Sequence, residues 1–269
     1  MCTKIHHPFI ESPGSMTDHI IVTAFGTTTQ AQQVYHYLGE KISACFPDHV
    51  LHWSYSSPTV RKNSQTSQIK LRSVSEIIAT IPADDSVIVQ SLHIMPGREF
   101  ERIVADVKET GVRAHIGKPL LSDQEDLHRV ADCLLPLIEG TVADAILLLG
   151  HGTTHPCHTV YRELETKVHQ KSDRRIYLST VEYPDEPPSS TATRIAAAGA
   201  RSVLVVPLLL VAGMHVLKDI CGDHADSWKN LLTTHEIDVH VHDQGLATLP
   251  GIANIFCDHI KSAERTVSP

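Results

Sequence analysis

The sequence predicts an α/β protein of two similar lobes, each a four-stranded parallel sheet flanked by helices, with the active site in the cleft between them. Three observations carry this. Short β-branched runs alternate with helical patterns along the whole chain, the signature of βαβ units and a parallel sheet. The phrase IIVTAFGTTTQAQQVYHYL returns as AILLLGHGTTHPCHTVYREL, which lays Phe25-Gly26-Thr27-Thr28 over His151-Gly152-Thr153-Thr154. Further on, SVIVQSLHIMPGREFERIV returns as SVLVVPLLLVAGMHVLKDI, and Pro96-Gly97-Arg98-Glu99 falls over Ala212-Gly213-Met214-His215. A repeat on this scale means one supersecondary plan used twice.

The strands follow in order. In the first half they are HIIVTAF (19–25), VLHWSYS (50–56), SVIVQSL (86–92) and VRAHIG (112–117). DAILLLG (144–150), RIYLSTV (175–181), SVLVVPLLLV (202–211) and IDVHVHD (237–243) are their counterparts. Residues Asp123 to Thr141 form the helix and linker crossing between halves. The working divisions are therefore an N-terminal tail over 1–17, a first lobe over 18–140 and a second over 141–269.

Composition narrows the class. The chain has 269 residues with 42% hydrophobic and 20% charged, values of a folded globular protein. Lys and Arg number 23 against 31 Asp and Glu, a net charge of −8 with no long basic stretch. That balance argues against nucleic acid and anionic membrane surfaces as partners. No apolar run reaches the roughly 18 residues of a membrane span, and MCTKIHHPFIESPGSM lacks a secretory apolar core, so a cytoplasmic location is expected. Six cysteines without a C-x-x-C pair suggest neither a disulfide framework nor a zinc knuckle. Histidine is the excess, with 19 residues.

In open α/β sheets ligands bind outside the carboxyl ends of the strands, and the two repeat motifs fall there. His151 follows the fifth strand between two glycines that permit close approach; its repeat mate is Phe25. His215 stands in the first turn after the seventh strand, where the helix dipole favours the neutral imidazole that metals need. Glu182 ends the sixth strand. Two imidazoles and a carboxylate converging from neighbouring strand ends make an open divalent-metal site. Glu99, the repeat mate of His215, faces this set across the cleft as a proton acceptor. His93 lies at another strand end as a lining residue or ligand. Arg61 and Lys62, after the second strand, are candidates for holding substrate carboxylates. Thr27 and Thr153 stand in turns that offer hydroxyls and amides to an anionic group. The chain carries no P-loop, no G-x-G-x-x-G after a strand and no G-x-S-x-G elbow.

FGTTT, LHIMPGREFERI, LLGHGTTHP, TVEYP and VAGMHVLKDI in one chain resemble the anaerobic cobalt chelatases of the sirohydrochlorin cobaltochelatase family, class II chelatases that use no ATP. The resemblance runs from Asp18 onward. It implies insertion of Co2+ into sirohydrochlorin, or precorrin-2, on the anaerobic route to cobalamin, with some capacity for Fe2+ to give sirohaem. It carries the metal ligands over to His151, Glu182 and His215, with His151 as base assisted by Glu99 and Glu99 matching an acidic position of the family. Because one nitrogen cannot ligate and accept a proton at once, those steps are sequential. Co2+ is then a substrate, no nucleotide is needed, and a homo-oligomer is allowed. Three readings compete: a tetrapyrrole or metal carrier without turnover, a ferrochelatase for sirohaem synthesis, and a metal-dependent hydrolase on the same ligands.

Overall fold

A computed structural model describes residues 17–26, 32–64 and 71–265, the side chains of residues 64, 214–217 and 264–265 apart. Its elements run β1 (Asp18–Ala24), α1 (Gln32–Cys45), β2 (His49–Tyr55), α2 (Pro58–Ser64), α3 (Val74–Ile78), β3 (Ser86–Ser91), α4 (Arg98–Glu109), β4 (Ala114–Gly117) and α5 (Gln124–Gly140). The second half repeats the order with β5 (Ala145–Gly150), α6 (Thr159–His169), β6 (Arg175–Thr180), α7 (Pro188–Ala197), β7 (Ser202–Pro207), α8 (Met214–Cys221), α9 (Trp228–Thr233), β8 (Asp238–Val241), α10 (Ile252–Lys261) and β9 (Glu264–Arg265).

Two sheets result, ordered β2-β1-β3-β4-β9 and β6-β5-β7-β8. The two parallel quartets have the same strand order, as the repeat requires. All pairings are parallel except that of β9 with β4. The long seventh run ends as a strand at Pro207, the position matched by Ser91 at the end of β3, and the Leu208 N–H still reaches the Leu149 carbonyl at 2.8 Å. Leu209 to Val211 then leave the sheet, and the carbonyls of Leu209 and Leu210 accept from Leu246 and Ala247 instead.

Alternate residues of the central strands face different cores, as a strand's two-residue period dictates. Ile20, Val22 and Ala24 of β1 and Ile146 and Leu148 of β5 point into one shared core with α1, α5, α6 and α10. Ile21 of β1, with Val87 and Val89 of β3, packs under α3 and α4. On the far side, Ala145, Leu147 and Leu149 pack under α7, α8 and α9. The molecule therefore stacks helices, sheet, helices, sheet, helices, and each buried Ile or Leu contributes about 1.5 to 3 kcal/mol.

The helix at the crossover is capped at Asp123, whose side chain accepts from the Asp126 N–H. It packs on α6 of the second lobe, while α10 returns to pack on α1 of the first. Helix α10 and β9 thus lie on the first lobe, although the division at 140/141 groups them with the second. Two side-chain pairs tie the crossing helices together: Arg129 to Asp258 at 2.8 Å, and His259 to Asp126 at 2.8 Å. The second pair is buried on both sides, and the other ring nitrogen of His259 donates to the Lys118 carbonyl at 3.0 Å.

Breaking a buried hydrogen-bonded pair from one side leaves the other group unsatisfied. Asp126→Ala is therefore expected to cost about 1 to 3 kcal/mol in urea unfolding, against a much smaller loss for the exposed control Lys261→Ala.

Candidate functional site

Strand order reverses beside β1 in one sheet and beside β5 in the other, the position where open α/β sheets hold ligands. The turns leaving β1, β3, β5 and β7 flank these points. Two contacts join the lobes here. Arg98, opening α4, donates to the Thr154 hydroxyl at 3.3 Å, and His155 Nε2 donates to Glu101 Oε1 at 3.2 Å while its Nδ1 accepts from the Cys157 amide.

His151 leaves β5 half-exposed, its Nδ1 3.2 Å from the Gly152 carbonyl and 3.9 Å from Glu182 Oε2. A carbonyl only accepts, so the proton of a neutral ring sits on Nδ1 and the lone pair is on Nε2. The backbone fixes this pair of residues. The Glu182 N–H donates to the His151 carbonyl at 2.7 Å, the Val181 N–H to Gly150, and the Thr180 hydroxyl to the Glu182 carbonyl at 2.8 Å. Gly152 has φ +89°, and a Cβ there would run into the Glu182 carbonyl. Tyr183, next to Glu182, is held at φ +51°, a left-handed geometry that costs a non-glycine residue roughly 1 kcal/mol or more.

Beneath the histidine lies Tyr161, whose hydroxyl takes the Gly152 N–H at 3.3 Å and whose ring leaves no room for a Cβ at Gly150. Burial pushes its phenol up. Tyr35 occupies the matching place in the first lobe, with its hydroxyl bonded by the Gly26 backbone and its phenol likewise raised by burial. Sequence reading passed over both tyrosines, and the repeat was the signal: they align within it. His155, Arg98 and Glu101 were also missed as the contacts between lobes.

The loop after Glu182 is tied down by charge. Asp185 meets Arg162 at 3.1 Å and His158 at 3.7 Å, and Glu186 meets Arg194 at 3.1 Å. A pocket of about 240 Å³ beside this loop is lined by these groups with Glu165 and Ser179; burial raises the Glu165 carboxyl.

The remaining expected residues divide as follows. His215 stands in the first turn of α8, with its side chain outside the described part. Thr27 lies outside the described residues altogether. Among the described residues no group of three or more His, Cys, Asp and Glu side chains is placed to hold a metal ion; His151 and Glu182 approach as a pair. Glu99 is in the first turn of α4 and meets Arg102 at 3.0 Å, while its Oε2 is buried without a hydrogen-bond partner among the described residues. Thr153 builds its own turn, its hydroxyl accepting from the His155 amide and its amide donating to His158 Nδ1. Arg61 donates through Nη1 to the carbonyls of Tyr55 and Ser56 at 2.5 and 2.9 Å; Lys62, beside it on α2, is exposed. His93 is clamped between the hydroxyls of Ser56 (3.1 Å) and Ser91 (3.0 Å), so both ring nitrogens are engaged. Burial brings its pKa down to about 4, and the ring is neutral at neutral pH.

Comparison with known proteins gives a consistent picture. Residues 18–265 match the family model described as cobalt chelatase (CbiK). A sirohydrochlorin cobaltochelatase (CbiKC) of Nitratidesulfovibrio vulgaris is 30% identical over 91% of this chain and 89% of its own. The sirohydrochlorin cobaltochelatase of Salmonella typhimurium is 29% identical over 92% of this chain and 97% of its own. Among solved structures, SirB from Bacillus subtilis with Fe3+ superposes with a TM-score of 0.64 at 16% identity, over 92% of this chain and 95% of that one. The last likeness shows the same two-lobed chelatase fold.

Two outcomes follow from the geometry. Gly152→Ala forces a side chain onto the Glu182 carbonyl and is expected to lower Tm and to shift backbone amide resonances of 150–153 and 180–183 together. His93 has its folded pKa below its unfolded value of about 6.5, so its contribution is complete above about 6.5 and is lost as pH falls toward 4. Urea unfolding between pH 7 and 4 is expected to lose stability with falling pH, and His93→Gln is expected to flatten that slope.

Proposed function

The chain belongs to the cobalt chelatase (CbiK) family, and from that premise we propose that it is an enzyme inserting Co2+ into sirohydrochlorin without ATP. The natural macrocycle is sirohydrochlorin or its reduced precursor precorrin-2, on the anaerobic route to cobalamin, and Fe2+ insertion to give sirohaem is a side capacity. It works in the cytoplasm; among the described residues no helix is long and apolar enough to cross a membrane. The observation that carries the reading is the half-exposed His151 and Glu182, stitched together at adjacent strand ends where the lobes meet.

In this reading the second lobe supplies the metal ligands His151, Glu182 and His215, and the first supplies the wall the macrocycle rests on. Neutral imidazoles with one carboxylate suit a divalent ion still carrying water. Insertion joins one M2+ to the macrocycle and releases two pyrrole protons. His151 holds the ion first through Nε2 and, once the ion has passed to the ring nitrogens, accepts a proton at that same atom. Glu99, whose Oε2 has no other partner among the described residues, takes the second proton or passes it to solvent.

Sirohydrochlorin carries eight carboxylates, which a chain of net charge −8 repels unless cations are placed locally. Arg61 and Lys62 stand in the last turn of the short α2 that follows β2, Arg98 opens α4, and Thr153 lies in the turn after β5; Thr27, its repeat mate in sequence, completes the proposed set. Phe25 and Tyr183, both more than half exposed, offer ring faces to a flat macrocycle. A bound but unconverted pigment would instead favour the carrier, and hydrolysis lost on chelation would favour the hydrolase.

Anaerobic mixing of sirohydrochlorin and Co2+, followed in the visible spectrum, tests the proposal. The wild type is expected to accelerate insertion, and His151→Ala to lose about 100-fold or more of that acceleration. Equal rates for wild type, variant and buffer would overturn the enzyme reading. Arg61→Gln is expected to raise KM for the macrocycle several-fold with kcat little changed; an unchanged KM would remove Arg61 from the binding surface.

A further inference from the structure

The cysteines are scattered in sequence, yet the fold brings two of them into contact. Cys45 is the last residue of α1 and Cys257 sits within α10. Their sulfur atoms lie 2.6 Å apart across 212 residues of chain, both free thiols. That separation exceeds a ~2.05 Å disulfide bond by about 0.6 Å, so only a small adjustment is needed to close one. The two thiols differ in access: Cys45 is exposed and Cys257 is buried.

We propose that Cys45 and Cys257 form a covalent modification site, at which a low-molecular-weight disulfide oxidises the pair and staples α1 of the first lobe to the returning α10. The exposed Cys45 thiolate attacks one sulfur of an oxidant such as oxidised glutathione, forming a mixed disulfide and expelling one glutathione thiolate. Cys257 then loses its proton and attacks the Cys45 sulfur, expelling the second. Two protein thiols are oxidised, one small disulfide is reduced to two thiols, and the two protein protons end on the released thiolates. Burial and the neighbouring Cys45 push the Cys257 thiol up to about 12, which makes the second step the slow one.

The position of the pair decides what the staple does. Helix α1 runs from the carboxyl end of β1 toward the amino end of β2, so Cys45 lies at the edge remote from the strand-end turns that carry His151 and Glu182. Helix α10 otherwise reaches the first lobe covalently only by way of the whole second lobe. A cross-link there closes a long loop and restricts the unfolded chain strongly, while the site turns keep their geometry. The signature is a gain in stability without a change in the metal-site residues.

The test uses the full chain, reduced first and then equilibrated at pH 8 in buffers of increasing oxidised-to-reduced glutathione ratio. Peptides are mapped without reduction after acid quenching. The wild type is expected to lose two titratable thiols, to yield a Cys45–Cys257 linked peptide, and to gain roughly 5 °C or more in Tm, all reversed by dithiothreitol. Cys45→Ser is expected to show neither the link nor the gain, and Cys257→Ala to stop at glutathione on Cys45. Glutathione retained on Cys45 of the wild type at equilibrium would overturn the proposal. So would a link to a different cysteine, or a link that leaves Tm unmoved.

Discussion

A parallel sheet must be covered on both faces, since its strands carry apolar residues up and down alike, and this chain meets that requirement for two sheets with one shared helical layer. Ile20 and Val22 on one side and Ile146 and Leu148 on the other bury against the same helices. Once α1, α5, α6 and α10 lie between the sheets, the freedom to turn one lobe relative to the other is small. The strand ends are thereby brought to one rim, where α4 reaches the turn after β5. The meeting of strand ends at this rim is a by-product of sharing a core.

Within that frame the two halves have diverged by position. Tyr35 and Tyr161 keep the same task, each receiving the amide of the glycine that follows the strand end. At the residue before that glycine, one half has Phe25 and the other His151; at the start of the helix after the third strand, one has Glu99 and the other His215. The tyrosines hold the turns, and the side chains displayed by the turns differ. At the first of these positions one lobe presents an apolar ring and the other an imidazole, both about half exposed.

Strand identity and order were legible because apolar β-branched runs bounded by turn residues recur with a repeat, and a repeat constrains topology as well as elements. The seventh run shows the limit: after its serine SVLVVPLLLV is apolar throughout, and its hydropathy does not mark where ladder gives way to loop. The strand-end positions of His151, Glu182 and Glu99 could be read for the same reason. Contacts between distant segments could not. Even a local contact can escape notice, as where a guanidinium nitrogen of Arg61 turns back onto the carbonyls of Tyr55 and Ser56, six and five residues before it. The Ser56 hydroxyl at His93, the His155–Glu101 contact between lobes and the meeting of Cys45 with Cys257 depend on packing across 37 to 212 residues.

The helix that ends each half packs on the first helix of the other: α5 on α6, and α10 on α1. This is an exchange of arms within one chain, equivalent to a swapped dimer whose two copies have been joined end to end. Neither half closes its own core, because each lacks the helix that its partner lends. A half-length chain of this design would be complete only as a two-fold pair with two identical turns, whereas the single chain carries His151 at one turn and Phe25 at the other.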